Sequence, residues 1–335
     1  MEKLNWGIIG CGDVTEKKSG PAFYTLPQTT LQAVMRRDAT KAADYAVRHQ
    51  VPTWYTDASR LIQDPQVQAI YIATPPDTHA FYAIKALEAG KPVYVEKPMA
   101  LNLAECRKMI EVSEKTGTPL FVAYYRRKMS YFQKVKEIVE SGVLGNIIMA
   151  NIRLWRNPLP EDRKADKPWR LNPDYAGGGY FVDMGTHQID LLLWLFGPLR
   201  SVKGAASNRG GLYAVEDTVD AVFEFQSGIL AVGSWCFVVP EKSATDTFEI
   251  IGTKGRLSFS TFQMECIRKV VNGVEEFIAA HKPEVVEKQM ISYVSDLILE
   301  GKQDRQALSD AVEVTRIVDD ILAEYRRKDG KAKSE

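Results

Sequence analysis

The run Leu4-Asn5-Trp6-Gly7-Ile8-Ile9, followed at once by Gly10-Cys11-Gly12-Asp13-Val14, narrows the possible folds more than any other stretch of this chain. The apolar run reads as a buried strand. Glycines at 10 and 12 let the backbone turn tightly behind it and approach a pyrophosphate, whose charge is met by amide donors at the next helix start, Asp13 and Val14. A lone GxG is a weak signal, and it gains weight from the elements downstream of it. Leu31–Met35, Ala69–Ala73, Val93–Val95 and Leu120–Ala123 read as further strands. Between them lie amphipathic segments at Thr40–His49, Thr78–Ala89 and Leu103–Thr116, the last opened by Asn102 with Glu105 three residues on. Such alternation means right-handed βαβ units on a parallel sheet covered on both faces. Two irregularities stand at the first turn. Thr15 fills the third glycine position, and Gly20-Pro21 should interrupt the first helix.

After Tyr124 the period changes. A helix near Phe132–Ser141 leads into a strand, Ile147–Trp155, then a long polar loop from Arg156 to Ala176 and a helix from Tyr180 to Phe196 that stops at Gly197-Pro198. From Val202 to Val271 apolar and polar residues alternate between glycine-marked turns, the pattern of antiparallel strands. Helices at Glu284–Glu300 and Asp304–Tyr325 close the pattern. The expected fold class is α/β: an N-terminal doubly wound Rossmann sheet over 1–123, an α+β domain with a large open, mostly antiparallel sheet over 124–325, and a charged tail at 326–335.

Composition excludes several classes of function. Lys+Arg and Asp+Glu both number 43, so nothing suggests a nucleic-acid surface. The longest apolar stretch, Ile189–Phe196 apart from Asp190, is too short to span a bilayer, and no leader segment is expected ahead of the first strand. Cys11, Cys106, Cys236 and Cys266 are scattered without metal-ligand spacing and read as reduced thiols, so no metal and a cytoplasmic location are expected.

In open parallel sheets the carboxyl ends of the strands face the ligand crevice. Arg36-Arg37 stands at the end of the second strand, where an NAD site would place a carboxylate for the ribose 2′-hydroxyl, and Asp38 comes one step too late. Guanidinium groups there pair with a 2′-phosphate, so the expected cofactor is NADP, with NAD possible if both arginines are solvated turn residues. Thr74-Pro75-Pro76-Asp77-Thr78-His79 lies along the expected cofactor, Thr78 as a candidate cap. His79 has two readings, a ribose contact or a cap of its own helix. Glu96-Lys97-Pro98 follows the strand Val93–Val95 and presents a lysine to the cofactor, against the plain reading of a surface loop.

Gly177-Gly178-Gly179 precedes Asp183 and His187, which share one face of a helix at i,i+4 spacing, with Asp190 and Trp194 extending the stripe. A histidine suits proton transfer near neutrality and a carboxylate one turn earlier can orient it, whereas the plain reading is a polar pair on a solvated face. Three glycines should leave the helix start bare for a substrate. In the preceding loop Trp169 could stack on a sugar ring and Arg170 could bind hydroxyls or an acid group. The alternative is a buried tryptophan anchoring the loop.

Gly10-x-Gly12, Thr74-Pro75-Pro76, Ala89-Gly90-Lys91-Pro92, Glu96-Lys97-Pro98 and Asp183-x-Gly185-x-His187 together resemble the glucose-fructose oxidoreductase / inositol dehydrogenase / MocA family over about residues 3–325. The resemblance implies a catalytic group of Lys97, Asp183 and His187. It implies cofactor contacts from Glu96 and Lys97 and from Arg127 at the domain junction. Tyr125 stands where many members have asparagine, among the expected substrate contacts. The implied reaction passes hydride between nicotinamide and a carbinol or carbonyl carbon of a sugar, cyclitol or related polyhydroxy compound. The same residues leave two alternatives open, an NAD-dependent glycoside hydrolase and a non-catalytic nucleotide-sensing regulator. A homodimer or homotetramer through the C-terminal sheet is the implied assembly.

Overall fold

The computed structural model describes residues 3–279 and 282–328. These residues form two compact units, one from 3–129 with 283–315, the other from 130–279 and 282 with 316–328.

The first unit is built on six parallel strands: β1 (Leu4–Ile9), β2 (Thr29–Met35), β3 (Thr53–Tyr55), β4 (Ala69–Ile72), β5 (Val93–Val95) and β6 (Leu120–Val122). Their order, β3-β2-β1-β4-β5-β6, is that of a doubly wound dinucleotide-binding sheet, which reverses between β1 and β4. The crossovers are α1 (Asp13–Lys17) with α2 (Gly20–Thr25), α3 (Ala39–Arg48), α4 (Ala58–Gln63), α5 (His79–Glu88) and α6 (Leu103–Thr116). The expected break falls between Lys17 and Gly20. There a side chain at Gly20 would collide with the Thr15 carbonyl, which also accepts from Tyr45 Oη at 3.0 Å. Neither β3 nor α4 is evident in the sequence, because each is a single short turn or strand with mixed burial. Every residue of β4, β5 and β6 is buried, as strands covered on both faces require. A row of rings, Trp6, Phe23, Tyr71 and Tyr94, fills this core with neighbouring centroids 5.1–5.2 Å apart.

In the second unit α7 (Ser130–Glu140) precedes β7 (Ile147–Trp155). The loop after β7 is not featureless: it holds single helical turns at Pro160–Arg163 and Trp169–Leu171, then α8 (Pro173–Ala176). A π-helical turn, Phe181–Gly185, then runs into α9 (Thr186–Phe196). Seven more strands come next: β8 (Leu199–Ser207), β9 (Thr218–Phe225), β10 (Leu230–Cys236), β11 (Thr245–Gly252), β12 (Gly255–Phe259), β13 (Cys266–Val271) and β14 (Val274–Ala279). With β7 they make one eight-stranded sheet, antiparallel except where β10 runs parallel to β7. Side chains alternate across it. Along β9, Val219, Ala221, Phe223 and Phe225 are buried, while Asp220 and Val222 are exposed. The last two elements are α10 (Lys288–Leu299) and α11 (Arg305–Lys328). Arg326–Lys328, expected in a charged tail, finish α11, where Arg326 binds Asp319 at 2.7 Å and the Gly177 carbonyl at 2.8 Å. The remainder of that expected tail, 329–335, lies outside the described residues. Among the described residues no helix is long and apolar enough to cross a membrane.

Candidate active site

The first unit presents three loops at the carboxyl ends of β1, β4 and β5. Gly10 has φ of +95°, and a side chain on it would meet the backbone of Ala73 and Thr74 at 2.9 Å. Only glycine lets the β1 and β4 loops approach this closely. At Gly12 the nearest atom to such a side chain is the Gly10 carbonyl oxygen at 3.9 Å, so the backbone there lies open to approach. The Gly12 carbonyl takes the amides of Thr15 and Glu16, which leaves Asp13 and Val14 supplying first-turn donors outside the helical ladder. This cradle fits a dinucleotide. Arg36 sits beside it, its guanidinium donating to the Cys11 carbonyl at 3.0 Å, with Arg37 exposed next to it. Asp38 caps α3, accepting from Lys41 N at 3.1 Å.

Thr74 and Pro75 follow β4. The Thr78 hydroxyl does not cap α5; it turns back to Thr74 Oγ1 at 2.8 Å and the Pro75 carbonyl at 3.0 Å. His79 serves neither of its expected roles directly. It is fully buried, with Nδ1 3.0 Å from the Pro98 carbonyl and Nε2 2.8 Å from that of Thr74, and so ties the β4 loop to the β5 loop. Burial pushes its pKa down, against the two carbonyl acceptors and the charges of Glu96 and Asp77.

At the end of β5, Glu96 is 8% exposed and Lys97, joined to Pro98 by a cis peptide, is half-buried. Glu96 Oε1 accepts from Tyr71 Oη at 2.6 Å and Oε2 from the Lys97 amide at 3.2 Å. Arg127, expected at a cofactor, lies 2.8 Å from Asp310, and Tyr125 is buried beneath the Arg126 guanidinium, 5.1 Å from its ring centre.

The second unit gathers the other candidates around α9. Thr186 to Leu193 are all buried, so His187 (4% exposed) does not stand on a solvated face. Asp183 lies in the π-helical turn, where the ordinary i,i+4 phase shifts and functional residues are often found. Its carboxylate meets Arg170 Nε at 3.3 Å, and that guanidinium stacks over Trp169 with its carbon 4.5 Å from the ring centre. Trp169 is 37% exposed and is no buried anchor. The loop is instead pinned by Asp162, buried, which accepts from Tyr180 Oη at 2.6 Å and the Leu159 amide at 2.8 Å. Two of the three glycine amides are not bare donors: Gly177 N is taken by the Pro173 carbonyl at 2.9 Å and Gly179 N by Glu216 Oε1 at 2.7 Å.

Sequence reasoning missed the supports of His187. Gln188 beside it bridges Trp235 Nε1 at 2.6 Å and Thr261 Oγ1 at 3.0 Å, all buried. Phe262 stands edge-on to the imidazole, its ring centre 6.1 Å away. Asp246 holds that loop, accepting the amides of Thr261, Phe262 and Gln263 at 3.0, 2.6 and 3.2 Å. One aspartate in a strand carries no local signal of a loop fifteen residues ahead. Among the described residues no cluster of His, Cys, Asp or Glu is placed to hold a metal.

Residues 4–124 match the oxidoreductase family with an NAD-binding Rossmann fold, and residues 132–258 match the GFO/IDH/MocA C-terminal domain. Oxidoreductase P35 of Formosa agariphila is 39% identical over 318 residues, 95% of this chain and 98% of its own length. Trans-1,2-dihydrobenzene-1,2-diol dehydrogenase of Macaca fascicularis is 26% identical over 339 residues, covering 98% and 97%. Levoglucosan dehydrogenase in complex with NADH and L-sorbose, 23% identical, has the same fold over 98% of each chain with a TM-score of 0.86.

Asp246→Ala should free three loop amides and destabilise the protein by about 1–3 kcal/mol. The His187 imidazole resonances should shift as Phe262 moves. Denaturant melts and histidine NMR check both, and an unmoved His187 spectrum would deny the loop its role.

Proposed function

The chain belongs to the Gfo/Idh/MocA family of oxidoreductases, and from that premise we propose that it is an NADP(H)-dependent dehydrogenase or reductase of a ring carbinol in a sugar, cyclitol or related polyhydroxy compound. That it is a nicotinamide-dependent oxidoreductase is implied by the family. The finer reading is supported chiefly by the half-buried Lys97 at the carboxyl end of β5, whose amide donates to Glu96. The relatives' names add a ring 1,2-diol and an anhydrosugar as substrate types.

The glycine cradle with Asp13 and Val14, the loop Thr74-Pro75, and Arg36 and Arg37 would hold the cofactor. Bound nicotinamide would supply the acceptor or donor of hydride. In the direction of oxidation His187 takes the hydroxyl proton, and Lys97 hydrogen-bonds the reacting oxygen. Asp183, with its charge shared by Arg170, contacts a neighbouring hydroxyl and fixes the ring. The exposed indole of Trp169 offers the sugar an apolar face. In the reverse direction the same groups polarise and protonate a carbonyl.

Preference for NADP rests on Arg36, held by Cys11, and on Asp38 being committed to the α3 cap. Self-association through the exposed sheet face is supported by Val222, Leu230 and Val232, which are 48%, 49% and 41% exposed on adjacent strands.

Each proposal has its own measurement. Arg36→Ala should weaken NADPH binding by about 10-fold or more while leaving NADH unchanged; an unaltered preference by fluorescence titration would discard the arginine argument. Lys97→Ala and His187→Ala should each reduce kcat by about 100-fold or more, with cofactor Kd little changed. Wild-type turnover in either removes that residue from the mechanism. Val222→Lys with Val232→Lys should lower the mass seen by light scattering, and an unchanged mass would place self-association elsewhere.

A further inference from the structure

A second carboxyl lies against the Glu96 side chain, and it comes from a distant part of the chain. Glu287 opens α10, its side chain fully buried within the first unit. The Glu287 amide donates to the Lys18 carbonyl at 3.2 Å, and Oε2 accepts from Tyr94 Oη at 3.3 Å. Among the described residues the buried Oε1 has no hydrogen-bond partner, and Tyr94, which donates to Glu287, stacks 5.2 Å from Tyr71, which donates to Glu96. Two carboxylates cannot hydrogen-bond each other, since both only accept. A buried carboxyl oxygen that no donor reaches is satisfied when it carries the proton itself and gives it to a neighbouring acceptor.

We propose that Glu287 is a neutral acid donating to Glu96, and that this acid pair, with Tyr71 and Ser19, positions the loop bearing Lys97. Both oxygens of Glu96 are otherwise committed to that loop and to its support, one to the Lys97 amide and the other to Tyr71. Tyr71 Oη also lies 3.1 Å from Ser19 Oγ. A phenol has one proton. The 2.6 Å contact to Glu96 is the shorter of its two, and Ser19 Oγ in turn lies 3.5 Å from the Val14 carbonyl. The chain of bonds runs from Ser19, just beyond α1 and the glycine cradle, through Tyr71 and Glu96 to the Lys97 backbone.

The groups facing Glu287 are Glu96 and Tyr94 from the β5 side, Tyr71 from β4, Tyr125, and Lys18 between α1 and α2. Burial raises its pKa first, and the charge of Glu96 raises it further, against Lys18. An acid whose folded pKa lies above its ordinary 4.5 keeps its proton in the folded state while the unfolded chain loses it. Its contribution to stability therefore falls as pH rises above that value.

The role assigned to Lys97 rests on the function proposed above, whereas the shared proton does not. Difference infrared spectra of wild type against Glu287→Gln at neutral pH should show the carbonyl stretch of a protonated carboxyl in wild type alone. Spectra in which both carboxyls are ionised overturn the proposal, whatever the activity. Wild type should also lose stability relative to Glu287→Gln as pH rises from about 4.5 towards neutrality, and parallel curves count against it. Glu287→Ala and Tyr71→Phe should lower kcat about 10- to 100-fold at unchanged cofactor Kd, with Glu287→Gln, which still donates, close to wild type. Should Glu287→Ala not fold, Tyr71→Phe and Glu287→Gln carry the comparison. Equal kcat in all of them overturns the positioning role. Wild-type turnover in Lys97→Ala would defeat the functional reading and the positioning role with it, leaving the infrared band to judge the proton.

Discussion

A carboxyl buried at the end of a parallel strand must be hydrogen-bonded or neutralised, and the first unit is arranged around that demand at Glu96. Parallel strands covered on both faces leave little room for polar groups. Here two tyrosines from neighbouring strands, stacked 5.2 Å apart in the core, bring their hydroxyls to the two carboxyls. The large apolar body of tyrosine fills the interior while its polar tip meets the acid. The same arrangement ties the Lys97 backbone to the core, and His79 ties the Pro98 carbonyl to Thr74. The loop is thus held from two sides.

The second unit meets a different demand, a histidine on a helix with almost no solvated face. The polar residues of α9 are satisfied internally, through Gln188 to Trp235 and Thr261 and through Thr186 to the Val182 carbonyl. The π-helical turn just before it sets Asp183 against Arg170. In the proposed reaction such support would serve proton transfer, because a small misplacement of the imidazole is expensive in rate.

How much of this is legible in the sequence depends on whether the signal is local. The glycines after β1 and the capped α6 carry their patterns in neighbouring residues, and the sequence places them with nearly the observed limits, whereas the strands between Val202 and Val271 are legible only as one alternating run. The Glu96-Lys97-Pro98 and Asp183/His187 elements are visible as motifs. Their supports are not. Glu287, Asp246 and Gln188 act through partners 191, 16 and 73 residues away in sequence, and no periodicity announces such pairs. The chain's return to the first unit at 283 is equally silent, since helix α10 reads like any amphipathic helix. The glycines before Asp183 mislead in an instructive way. They suggest open backbone, yet Gly179 is closed by a buried glutamate that sits far along the chain.

In the proposed reaction Lys97 and His187 act on one carbon in a single hydride transfer. The most direct measurement is a double-mutant cycle, Lys97→Ala with His187→Ala, read as single-turnover nicotinamide reduction with the best substrate from a panel of cyclic polyols. Groups that serve one transition state are strongly non-additive, so the second substitution should have far less effect than the first. Rate losses that simply multiply would show the two residues acting independently, and would contradict a shared transition state.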